Sequence, residues 1–163
     1  WRRRSPRNAI ERSGYREPMR IAYGADEATP TTDSVAAWLR ASGHQLVREL
    51  VGAPWPSVGA GVAQAVVDGV AEVGVVWCYT GTGVAMAANK VAGARAALCV
   101  DADTATGARR WNDANVLALS QRLTTEELAR EIIGAFASGV PDADELQVIA
   151  GLEPQTHSAA PHG

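Results

Sequence analysis

Residues 73–78 read VGVVWC, an apolar run with no polar position to mark a wet face. A strand with one solvated face alternates apolar and polar residues. A strand covered on both faces is apolar throughout, as in a parallel sheet held between two layers of helix. A chain containing such a strand must also supply the helices, and this one does. The runs RIAYG (20–24), HQLVREL (44–50), ARAALCV (94–100) and NVLALS (115–120) read as further strands, separated by stretches of helical spacing. PTTDSVAAWLRASG (30–43) ends on a glycine, and residues 57–69 place Val58, Val62, Ala65 and Val66 behind Ser57 as a candidate cap. Residues 103–110 predict a short helix, and TEELAREIIGAFAS (125–138) opens on a capping threonine. Five β-α units predict a Rossmann-like three-layer α/β/α sandwich with a mostly parallel five-stranded sheet, whose strand carboxyl ends are free to form a site.

The chain of 163 residues is enough for one domain with a real core and too short for two ordinary ones. No apolar run is long enough to span a bilayer, so no membrane partner is expected. Cys78 and Cys99 cannot make a disulfide framework, and no CxxC pair or Cys/His cluster suggests a metal, so reduced thiols in the cytoplasm are expected. Residues 1–18 hold six arginines and two glutamates, net +4, which leaves the remainder at −7. This arm lacks an apolar helical face and aromatics spaced for base stacking, so nucleic acid is not expected as a partner either. With Met19 directly ahead of the first strand, residues 1–18 read as a leader and residues 19–138 as the domain. Residues 139–163, with Pro141, Pro154 and Pro161 among acidic and small residues, read as a partly flexible C-terminal extension.

Chemistry concentrates in WCYTGTGVAMAANK (77–90), where Thr80, Gly81, Thr82 and Gly83 stand between the apolar strand and a helical stretch. Glycines let backbone N–H groups turn inward, and a helix start favours an anion or a developing oxyanion. The run is not a nucleotide fingerprint, because GxGxxG is lacking and Lys90 stands too far from the glycines to close a phosphate loop. Cys78 ends the strand, where a thiolate can act as base or nucleophile. The plainer reading, an apolar filler, fits Cys99. GADEA (24–28) offers Asp26 and Glu27 for sugar hydroxyls or proton transfer, or else a solvated turn. ARRWNDANV (108–116) offers Asn112, with Arg109 or Arg110 for an anion and Trp111 to stack on a sugar, although Asn and Asp are also ordinary turn formers. No histidine accompanies Cys78 in a local motif, which gives a Cys/His hydrolase no sequence support.

Taken in order, MRIAYGAD, CYTGTGVAMAANK, GARAALC and NDANVLAL resemble the ribose-5-phosphate isomerase B and galactose-6-phosphate isomerase family over about residues 19–138. The resemblance implies a Rossmann-like sandwich, a homodimer or homotetramer, and a site without cofactor or metal that is completed across a subunit interface. It also implies interconversion of aldose and ketose phosphates by proton transfer between C1 and C2 through a cis-enediolate. On this reading Cys78 matches the base, Thr80 the neighbouring hydroxyl, and Gly81 and Gly83 the turn whose amides hold the enediolate. Asp26 matches the aspartate after the first strand, Asn89 and Lys90 the AANK run, and Asn112 the asparagine of an HND triplet.

The departures fall on the substrate side. Glu27 and Trp111 stand where the family carries histidines, the second associated with opening the cyclic sugar, and Trp55 stands where a tyrosine precedes proline. Residues 139–153 contain no Lys or Arg, so the family's arginine segment for phosphate is missing, which leaves Arg95, Arg109, Arg110 and Arg122 as candidates. The expectation is an aldose-ketose isomerase with an altered pocket formed by Glu27, Trp55, Gly81, Gly83, Lys90, Arg109, Trp111 and Asn112. Its substrate is a sugar phosphate or related small sugar. The alternatives are a catalytically inactive sugar-binding or assembly subunit and, more remotely, a hydrolase or thiol transferase that uses Cys78 as nucleophile.

Overall fold

A computed structural model describes residues 18–152; the arginine-rich arm lies outside them, except for Pro18. Strands β1 (Arg20–Ala25), β2 (Gln45–Val51), β3 (Val73–Cys78), β4 (Ala96–Leu98) and β5 (Val116–Ser120) alternate with helices α1 (Pro30–Ala41), α2 (Trp55–Val67), α3 (Thr82–Ala88), α4 (Ala102–Asn112) and α5 (Glu126–Ser138). A further helix, α6 (Ala143–Ala150), follows. The sheet has the order β2-β1-β3-β5-β4, and every pairing is parallel.

Alternation of side chains along each strand divides the core in two. One layer joins Ile21, Tyr23, Val75, Trp77, Leu117 and Leu119 to Val35, Leu39, Ala105, Ile132 and Phe136 of α1, α4 and α5. The other joins Ala22, Val76, Cys78, Val116 and Ala118 to Val58, Val62, Val84 and Ala88 of α2 and α3. β3 is buried at all six positions, the double covering expected from its apolar run. α2 packs closely on α3 because residue 59 is glycine: a Cβ there would stand 2.6 Å from the Val84 carbonyl oxygen.

Several elements differ from the sequence reading, α4 among them: it spans Ala102–Asn112 in place of 103–110, so Trp111 and Asn112 are helical. Ser57 does not cap α2, which begins at Trp55 with Pro54 as N-cap, so Trp55 and Pro56 form its first turn. β4 is three residues long, and on its edge away from β5 the Asn89 side chain takes both backbone groups of Ala96, accepting from its N–H at 2.8 Å and donating to its carbonyl at 2.9 Å. Residues 143–150 form a helix where the proline and acidic content had concealed one. Its first turn carries Asp144 and Glu145, which favour a helix N-terminus, and it buries Ile149. Among the described residues no helix is long and apolar enough to cross a membrane.

Candidate active site

β1 leads outward to β2 while β3 begins on its other side, so the strand order reverses between β1 and β3. In open α/β sheets such a reversal opens a crevice at the carboxyl ends. The last pair between these strands is Ala25–Trp77, and Asp26 donates its N–H to the Trp77 carbonyl at 3.2 Å, which puts Asp26 beside Cys78. On the other side Cys78 pairs with Ser120 at the end of β5. Cys78 belongs to the layer under α2 and α3, and by the two-residue period Asp26 and Ser120 continue that face. A carboxyl, a thiol and a hydroxyl thus form a row across three neighbouring strand ends. Cys78 is 5 % exposed and Ser120 3 %.

Beyond Cys78 the chain turns sharply. The Gly81 N–H donates to the Cys78 carbonyl at 3.2 Å, while the Ser120 hydroxyl and the Arg122 N–H donate to the Tyr79 carbonyl at 2.9 and 3.2 Å. Gly81 has φ +77°, and a Cβ there would meet the Leu119 carbonyl carbon at 2.9 Å, so only glycine fits. It is the N-cap of α3 and brings no side chain to that helix start, leaving the first-turn amides without intrahelical acceptors. Thr80 is exposed, and its hydroxyl accepts from the Thr82 N–H at 3.4 Å. A Cβ on Gly83 would touch the Trp55 ring at 3.0 Å, so the indole lies over the first turn of α3. Trp55 also lines a cleft of about 330 Å³ with Pro56, Ala60, Met86, Ala87 and Lys90. The neighbouring hollow of about 470 Å³ includes Thr82, Asn89, Lys90 and Leu98.

The two cysteines differ in setting. Burial and, secondarily, the charge of Asp101 push the Cys99 thiol up to about 11, as suits an inert filler. Asp26 Oδ1 is shielded from solvent and has no hydrogen-bond partner. Desolvation, chiefly, raises the Asp26 pKa above the ordinary aspartate value; the Glu27 charge adds to the rise, and the Gln121 amide opposes it. Glu27 itself is exposed.

The other expected site residues do not converge here. Arg109, Trp111 and Asn112 lie in the last turn of α4, just before β5 begins, at the opposite end of the sheet from Cys78. Arg109 donates to the Ala114 carbonyl, stands 3.6 Å from Asp113 and lies 5.3 Å over the Phe136 ring. Trp111 lies over Gly107 of its own helix and remains 55 % exposed. Among the arginines considered for phosphate, Arg95 pairs with Asp113 at 2.8 Å and Arg110 with Asp142 at 3.0 Å. Arg122 stands at the carboxyl end of β5, exposed and outside every ion pair of the described residues. Ser120 and Gln121 were not singled out from the sequence. The only signal was a polar pair closing the apolar run VLAL. Among the described residues no cluster of His, Cys, Asp and Glu could hold a metal.

Fold and site together define an α/β enzyme architecture with its polar groups at the strand carboxyl ends. Residues 21–148 match the ribose/galactose isomerase family, and the chain belongs to that family. The galactose-6-phosphate isomerase subunit LacB of Clostridium acetobutylicum is 34 % identical over 142 residues, which cover 83 % of this chain and 82 % of that one. The D-erythrulose-4-phosphate isomerase of Pectobacterium atrosepticum is 46 % identical over 82 residues, covering 50 % of this chain and 54 % of that one. The ribose-5-phosphate isomerase B structure from Clostridium thermocellum superposes with a TM-score of 0.77 at 30 % identity, covering 82 % of this chain and 95 % of that one.

Proposed function

We propose that the protein interconverts an aldose phosphate and its ketose by moving a proton between C1 and C2 through a cis-enediolate, with Cys78 as the base. The observation that carries this reading is the row of Asp26, Cys78 and Ser120 beside the Gly81 turn. The Cys78 thiolate takes the proton from the carbon next to the carbonyl, and the electron pair moves onto the carbonyl oxygen. The Gly81 N–H is engaged with the Cys78 carbonyl and the Thr82 N–H with the Thr80 hydroxyl, so the first-turn amides of Gly83 and Val84 stabilise that charge; one such donor is worth about 10²–10³ in rate in an acyl-transfer enzyme. Asp26, whose pKa burial raises, exchanges the hydroxyl proton between O1 and O2, and Cys78 returns its proton to the other carbon.

Arg122 is the phosphate anchor on this reading, because it stands past β5 without an ion-pair partner while Arg95, Arg109 and Arg110 are engaged elsewhere. Trp55, Gly83 and Lys90 border the sugar. Asn112 and Trp111 reach the site only from a second copy, which makes the functional unit a homodimer. Tyr79, Met86, Leu98 and Val100, exposed large apolar residues, supply surface for that contact. The only histidine among the described residues, His44, sits at the amino end of β2, away from Cys78. A four-carbon sugar 4-phosphate is therefore the first candidate: its terminal hydroxyl is esterified, so it cannot close a furanose ring and needs no ring-opening group.

The test is aldose-ketose conversion across tetrose, pentose and hexose phosphates and the matching free sugars, with intact mass measured during turnover. Conversion of a phosphorylated sugar without a covalent adduct, by a protein whose solution mass exceeds one chain, supports the reading. Sugar binding without conversion replaces it with a noncatalytic subunit, and an adduct on Cys78 replaces the base with a nucleophile.

A further inference from the structure

A residue just past the end of a third strand ties together the two strand ends that carry Asp26 and Cys78. Gln121 follows Ser120 past the end of β5. Its backbone N–H donates to the Cys78 carbonyl at 3.0 Å. Its side-chain amide passes over the end of β3 and donates to the Glu27 carbonyl at 2.9 Å, across 94 residues of sequence. Because Asp26 is also held through its N–H to Trp77 at 3.2 Å, the Asp26–Glu27 turn is fixed at one point to β3 and at another to β5.

We propose that Gln121 is a positioning residue, which sets the placement of the Asp26 carboxyl against Cys78 through its bond to the Glu27 carbonyl. The kinetic consequence rests on the isomerase reading, whereas the structural one does not. Asp26 is flanked by Glu27 of its own loop and by Cys78 at the end of β3, with Ser120 and Gln121 next along the row at the end of β5; Arg122 lies farther on, its N–H on the Tyr79 carbonyl. Burial, and to a lesser extent the Glu27 charge, favours the protonated carboxyl, and the Gln121 amide favours the carboxylate. An amide is the right group at position 121. It donates to a carbonyl at one point and stabilises a neighbouring carboxylate without bringing charge of its own. Asparagine is one methylene shorter, and an ionised glutamate cannot donate at all.

The experiment titrates the Asp26 carboxyl carbon by NMR, assigned with Asp26→Asn, in the wild type, Gln121→Met and Gln121→Glu. Methionine keeps the length and removes the donor, so it separates the bond from the packing. The expected midpoint of Asp26 lies above an ordinary aspartate in the wild type, higher in Gln121→Met and higher still in Gln121→Glu. Exchange of the C1/C2 proton is followed on the same samples. The turnover rate is expected to fall about tenfold to a hundredfold, with KM little changed, and the acid limb of the pH profile should move with the NMR midpoint. Midpoints equal to the wild type in both folded variants overturn the proposal, as does a loss confined to thermal stability. A wild type that titrates as expected but exchanges nothing refutes the isomerase reading and leaves the role of Gln121 to be decided by the titration.

Discussion

Gly81 and Gly52 have nearly the same backbone conformation, φ +77° and +79°, in very different surroundings. At Gly52 nothing lies within 4 Å of where a Cβ would stand, whereas at Gly81 the added atom would be 2.5 Å from Leu98 Cδ1 and 2.9 Å from the Leu119 carbonyl carbon. Gly52→Ala therefore incurs only the left-handed conformation, about 1–2 kcal/mol. Gly81→Ala incurs that and an overpacking cost of about 1–3 kcal/mol, because the Leu119 backbone cannot rotate away as a side chain can. The excess corresponds to about 2–12 °C in Tm for a domain of this size. Paired thermal and urea unfolding of the two variants measures it. Because the Gly81 N–H bonds to the Cys78 carbonyl, Gly81→Ala should also depress turnover while Gly52→Ala leaves it nearly intact. Equal destabilisation of the two variants would refute the steric argument, and full activity in Gly81→Ala would refute the role of the turn.

His44 is kept neutral: burial lowers its pKa below 6.5, and its Nδ1 accepts the Met19 N–H at 3.2 Å. As pH falls through 6.5 the unfolded chain takes up the proton before the folded one does, so stability declines below that point and levels off below the folded pKa. The slope is at most about 1.4 kcal/mol per pH unit for one proton. His44→Asn keeps an acceptor but does not titrate, so the Tm difference between it and the wild type should change between pH 7 and pH 5; a constant difference contradicts the account. Arg122→Ala should raise KM for a phosphorylated substrate by about 10- to 150-fold, the worth of a charge-assisted bond, with Tm nearly unchanged. An unaltered KM in steady-state assays would remove Arg122 from the phosphate site.

The sheet was readable because burial on both faces leaves a signature that turns do not blur: β3 falls on residues 73–78, and β1, β2 and β5 lie within a residue of expectation. β4 was overestimated because it is an edge strand that pairs only with β5, over Ala96, Ala97 and Leu98, and the apolar residues on either side of that short pairing read the same in the sequence. Helix α6 was hidden because its one buried residue, Ile149, is too little for an apolar stripe. In the candidate site, Cys78 was legible as the residue that ends one apolar strand and Asp26 as the one that follows another, and the Gly81 turn as glycines between strand and helix. Gln121 was not, since its reach to Glu27 depends on β5 being inserted beside β3. The far position of Arg109, Trp111 and Asn112 follows from order alone, because residues that precede a strand stand at its amino end.

Exchange of the C1/C2 proton in deuterated water, followed by NMR for the wild type and Cys78→Ala with the same phosphorylated sugar, tests the central claim most directly. It detects the enediolate even where little product accumulates. The account predicts deuterium uptake at that carbon by the wild type and its disappearance in the variant, with sugar binding retained. Uptake that survives the loss of Cys78 would contradict the assignment of the base.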